Sequence, residues 1–117
     1  MEKQLELKIK AKMSQEHLDV KNIIENNKTE AITRKQIVAL LGKDEKYFRR
    51  LNIIINELVT IFREPIGSSS ITIRNGYFYC RNEVDFYFAK ASLYSRVENI
   101  GERLSVLKEL EKEKLGN

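Results

Sequence analysis

Thr33-Arg34-Lys35-Gln36-Ile37-Val38-Ala39-Leu40-Leu41-Gly42-Lys43-Asp44-Glu45-Lys46-Tyr47-Phe48-Arg49-Arg50-Leu51 is the stretch that decides the fold. Thr33 is a helix N-cap residue, and Gln36 three places on completes a capping box. Ile37, Leu40 and Leu41 follow at helical spacing and are read as the inward face. Gly42 suits the left-handed position that closes a helix, where a side chain costs energy. Asp44 then caps a second helix, with Glu45 adding negative charge to its first turn. Phe48, Leu51, Ile54, Ile55 and Leu58 supply the inner side of this helix over 44–62. It must end before Pro65, because the residue ahead of a proline is held out of the helical region. Two helices joined by so short a glycine-bearing turn predict a helix-turn-helix.

A hairpin signal follows. Gly67-Ser68-Ser69-Ser70 reads as a flexible loop. Ile71–Arg74 and Tyr77–Cys80 are strand-like and flank Asn75-Gly76, a dipeptide that favours a type I′ turn. A second register stays open, in which Ile66 pairs with Tyr77–Tyr79 and Ser68–Asn75 form a longer loop. Either hairpin, placed after the second helix, predicts a wing. The expected fold class is therefore α+β, mostly α: a winged helix-turn-helix with a β-hairpin wing and a long C-terminal helix.

Upstream, residues 3–12 alternate apolar and polar, which favours a strand. Leu5, Ile9 and Met13 are also spaced by four, so a helix stays open. Ser14 caps an expected helix through about Asn26, and Ala31-Ile32 form a very short strand. Downstream, Asn82 caps a helix expected to run to Lys114. In it Phe86, Leu93, Val97, Ile100, Leu104 and Leu107 step by four and three, the seam of a coiled coil. Lys90 and Glu111 interrupt the pattern, and Gly101 weakens the middle by about 1 kcal/mol. This seam packs either onto the parent domain or onto a second copy; in the latter case Leu93, Val97, Ile100, Leu104 and Leu107 are the dimerisation residues. The chain divides into an N-terminal arm or strand (1–13), a winged domain (14–81) and a C-terminal helix (82–117).

Composition narrows the classes of function. A chain of 117 residues with 42% apolar side chains supports one domain with a modest core and argues against disorder. No apolar run approaches the roughly 18 residues of a membrane span, and the charged N-terminus lacks a signal-peptide core. A soluble cytoplasmic protein is expected, with no membrane partner. The net charge of +4 is unevenly spread: residues 34–81 hold nine basic and four acidic side chains, whereas 1–33 balance and 82–117 sum to −1. A basic field over the helix-turn-helix and hairpin attracts phosphate backbones.

The candidate DNA-binding residues lie in that region. Lys43, Lys46, Tyr47, Arg49 and Arg50 occupy the outer side of the second helix at its N-terminal half, from which a recognition helix reads base edges. Arg can hold guanine O6 and N7 with two donors; Lys and Tyr can hold phosphates. Arg34 and Lys35 open the preceding helix, whose amides add to phosphate attraction. Arg74 and Asn75 are expected at the tip of the hairpin. Aromatic residues gather between Tyr77 and Tyr94, either as a weld between hairpin and helix or as stacking platforms for single strands. Catalysis finds no support: His17 is the only histidine and is read as a helix surface or cap residue, and the single cysteine, Cys80, reads as a small buried hydrophobe. Neither enzyme activity nor a cofactor or metal is expected.

Taken in order, Pro65-Ile66-Gly67-Ser68, Gly76-Tyr77-Phe78 and Ser92-Leu93-Tyr94-Ser95-Arg96, set behind the helix-turn-helix, resemble the small winged-helix proteins of phages and prophages of Gram-positive bacteria. The likeness covers about residues 16–110. Arg63-Glu64 stands where that pattern has a glycine, and residues 1–12 fall outside it. The resemblance implies binding of double-stranded DNA in a phage replication or gene-control module. The alternative is a winged-helix module that docks on a phage or host protein.

Overall fold

The computed structural model describes residues 13–116; the alternating segment at 3–12 lies outside them. The architecture is α+β and mostly helical, with a two-stranded antiparallel hairpin and a long final helix. Helix α1 spans Gln15–Glu25 and begins at Ser14, whose side chain caps His17 while the His17 ring caps Ser14 in return. His17 is thus the cap residue expected, but its ring is buried: it lies edge-on to Phe62 at 4.9 Å, and Nε2 is 3.0 Å from the Glu57 carboxylate.

Helix α2 spans Arg34–Leu40 and carries the Thr33/Gln36 capping box. Its inner side differs from the expectation at one position. Ile37 and Val38 are buried and Leu41 is half-buried, whereas Leu40 is 68% exposed. In a helix this short, the inward stripe runs through 37, 38 and 41, which leaves 40 on the flank. Gly42 takes the left-handed φ of 72°. The chain then enters a single 3-10 turn, Glu45–Tyr47, capped by the Asp44 side chain, before helix α3 at Phe48–Thr60. The helix expected over 44–62 is therefore split. Leu51, Ile54, Ile55 and Leu58 are its buried side, as expected.

Arg63 turns the chain out of α3 with φ 60°, the conformation glycine adopts freely. Strand β1 (Ile66–Ile71) then pairs antiparallel with β2 (Arg74–Tyr79), from Ile66↔Tyr79 to Ile71↔Arg74. Two expectations are corrected here. Gly67–Ser70 form a strand rather than a flexible loop, and the reversal falls at Thr72-Ile73 rather than at Asn75-Gly76; of the two registers, the one that pairs Ile66 with Tyr77–Tyr79 is found, with a loop shorter than Ser68–Asn75. Ile66 and Phe78 are both buried, on opposite faces of the hairpin: Ile66 lies in the core with Tyr77 and Tyr79 packed against it, and Phe78 lies against Gly67 and Arg74. Gly76 serves another purpose inside β2. Its φ of 131° and its bare Cα let the strand press on the backbone of Ile32, where a Cβ would collide with the carbonyl oxygen. Ile32 and Tyr77 exchange backbone hydrogen bonds of 2.8 Å there, so the very short strand exists as a single bridge.

Helix α4 spans Glu83–Leu115, from the Asn82 cap to Gly116 in the left-handed region. Acidic residues in its first turn and Lys112 and Lys114 in its last suit the helix dipole. It is anchored at its start, where Gly67 of β1 lies so close to Ala89 that a Cβ on the glycine would clash. Beyond Ser92 every described residue of α4 is exposed. The core comes from α1, α2, α3 and the hairpin, with Val20, Ile24, Ile37, Leu51, Ile54 and Leu58 fully buried. Cys80 is buried, and burial pushes its thiol pKa up.

Candidate nucleic-acid interface

The antiparallel bridge between Ile32 and Tyr77 fixes what lies beside what. The residues after Ile32, which open α2, run alongside those before Tyr77, which open β2. Thr33 therefore lies against Gly76, and Arg34 and Lys35 follow it into α2. Arg34 also reaches α3: its guanidinium stacks over the Phe48 ring at 4.3 Å. Lys35, Lys43 and Phe48 border one shallow depression between the two helices, together with Asp44 and Glu45. Lys43, Lys46 and Tyr47 border the next, at the connecting turn. Arg34, Lys35, Lys43, Lys46 and Arg49 are all exposed, and none is engaged in an ion pair among the described residues.

Two of the expected site residues are committed within the fold. Arg50 lies 3.0 Å from the Glu16 carboxylate on α1, and the Tyr47 hydroxyl donates to the same group. The Arg50 and Tyr47 hydrogen bonds hold the Glu16 carboxyl at a pKa of about 2 against an ordinary 4.5. Burial and the Glu16 hydrogen bond push the Tyr47 phenol up. This triad locks the start of α3 onto α1.

Arg74 departs most from its expected place. It opens β2, but its side chain is only 11% exposed and turns towards α4. It pairs with Asp85 at 2.7 Å and Glu30 at 3.0 Å, and its guanidinium lies over the Phe78 and Phe88 rings at 4.8 and 4.9 Å. The hydrogen bond from Arg74 is the main cause of the lowered Asp85 pKa. Arg74 is thus a joint between hairpin and helix. The residues at the reversal are Ile71, Thr72 and Ile73; Ile73 is 76% exposed, so the hairpin tip is apolar rather than cationic. Asn75, also expected at the tip, lies instead within β2 opposite Ser70, where it is exposed.

Residues missed in the sequence extend the face. Asn52, Ile53, Asn56 and Thr60 are exposed on α3 and continue the line that starts at Arg49, opposite buried Leu58. Their spacing from Arg49, at i+3, i+4, i+7 and i+11, was the available signal. Attention to charge alone passes over amides, although Asn can pair with adenine N6 and N7.

The aromatic group divides. Phe78 is buried and Tyr77 and Tyr79 pack against the core, while Phe86, Tyr87 and Tyr94 are exposed. The expected dimerisation residues Leu93, Val97, Ile100, Leu104 and Leu107 are all exposed, which removes packing onto the parent domain as the fate of the seam. Among the described residues no helix is long and apolar enough to cross a membrane, and no cluster of three or more His, Cys, Asp or Glu side chains is placed to hold a metal ion. No protein family, curated protein or solved structure matches this chain.

Proposed function

We propose that the chain is a double-stranded DNA-binding protein of winged helix-turn-helix type. Helix α3 and the turn before it enter the major groove, and the hairpin flanks them. One observation carries this reading: four cations with no ion-pair partner among the described residues, Arg34, Lys35, Lys43 and Lys46, adjoin the Phe48 end of α3, along which the exposed Arg49, Asn52 and Asn56 form a line of hydrogen-bonding side chains. Cations without carboxylate partners are available to phosphates, and Arg49, Asn52 and Asn56 are suited to base edges. The order of elements supports the same reading, with a bridge strand and α1 behind two short-linked helices and a hairpin after the second. The phage-like sequence pattern suggests a setting in a phage or prophage regulatory or replication module.

Amide NMR shifts on adding a random 16-base-pair duplex test the surface. Shifts should concentrate on residues 34–35, 43–56 and 70–75. Shifts confined to α4, or none at low salt, would overturn the assignment. A protein-interaction role has its own support in the exposed apolar line of α4. That line lies apart from the basic surface, so the two readings are separable by mutation.

A further inference from the structure

Helix α4 leaves the domain with an apolar line and no partner for it. Leu93, Val97, Ile100, Leu104 and Leu107 fall on one side of the helix at about 100° per residue. All five are exposed, and no other element among the described residues covers them. Glu111 falls on the same line and ends it.

The charges beside the line are one-sided. Between 93 and 108, the charged residues bordering the apolar line are Arg96 and Arg103 on one flank and Lys108 on the other. The acids of the same stretch, Glu98 and Glu102, point to the opposite side of the helix, as does Glu109 just beyond it. Flanking charges set partner choice in paired helices. A second copy aligned in parallel would bring Arg103 against Lys108 twice and stack Lys90 on Lys90 and Glu111 on Glu111. An antiparallel copy would bring arginine flanks together. A helix with carboxylates on its flanks meets neither difficulty.

We infer that the 93–107 face of α4 docks an amphipathic helix of another protein whose apolar line is bordered by Asp and Glu, in preference to a second copy of this chain. The test uses the full chain and two synthetic helical peptides. Both peptides carry the same Leu/Val line at four-three spacing; one has Glu and the other Lys at the flanking positions. By sedimentation at about 10 μM the chain alone should be monomeric. The Glu peptide should bind at least about tenfold tighter than the Lys peptide, with the gap narrowing in 0.5 M salt. Arg96→Glu, Arg103→Glu and Lys108→Glu together should invert the preference. These positions are exposed outside the core, so the melting temperature should not move. Lys46→Ala with Arg49→Ala should leave peptide binding unchanged, which separates this surface from the basic face. A dimer disrupted by Ile100→Asp, equal or absent binding of the two peptides, or tighter binding to phosphatidylcholine–phosphatidylglycerol vesicles than to the Glu peptide would each overturn the inference.

Discussion

Glu16 is the residue through which the candidate interface and the stability of the fold meet. It accepts from Arg50 and Tyr47, and its pKa falls from 4.5 to about 2. A carboxylate with a lowered folded pKa contributes stability that is present above the unfolded value and is lost as pH falls through the folded one. The urea midpoint should therefore drop between pH 4.5 and 2 more steeply for the native chain than for Glu16→Gln, which lacks this titration. The same substitution releases Arg50 and Tyr47 beside the other cations, so it should tighten DNA binding at neutral pH, read by fluorescence anisotropy. Arg74 gives the opposite pattern. Its two ion pairs and two ring contacts are internal. Arg74→Ala should cost about 2 kcal/mol in urea unfolding yet leave DNA affinity nearly unchanged while the protein is folded. Nothing in the local sequence distinguishes Arg74 from Arg49. The partners Glu30 and Asp85 lie 44 and 11 positions away from Arg74, and only the folded hairpin brings them to it.

The elements that were legible are those whose signals are local. The caps at Ser14, Thr33, Asp44 and Asn82, the stop at Gly42 and the inner side of α3 each depend on residues within one or two turns, and each is found. The hairpin register was legible only as one of two alternatives, because the choice between them is made by burial of Ile66 in the core and by the approach of Gly76 to Ile32. Asn75-Gly76 carries the local preference for a turn, and a distant backbone contact overrides it. Gly76→Ala should accordingly destabilise the fold by about 3 kcal/mol, through both the positive φ and the collision with the Ile32 carbonyl. Thermal unfolding measures this; an unchanged melting temperature would show that the bridge between β2 and Ile32 does not contribute. Helix α4 behaves differently along its length. Its start is fixed by Gly67, Ala89, Arg74 and Asp85, whereas beyond Ser92 every described residue is exposed. A chain ended after Tyr94 should keep its melting temperature within a few degrees.

At the scale of the whole molecule, a packed domain carries a long projecting helix. The radius of gyration is 17.6 Å, against about 13 Å for a compact chain of this length. The longest extent, 54 Å, is close to the roughly 50 Å of a helix of 33 residues. The basic surface sits on the domain and the apolar line on the projection, so contact with DNA and contact with a protein need not compete. The central claim, that the cations of α2, the turn and α3 hold the DNA backbone, is tested most directly by titrating the chain against a random duplex over a range of salt. If most of the five free cations meet phosphates, log affinity should fall against log salt with a slope between about −3 and −5. Lys43→Ala with Lys46→Ala should bring that slope about two units closer to zero at an unchanged melting temperature. Absence of binding at low salt, or a slope that the double substitution leaves as it was, would contradict the account.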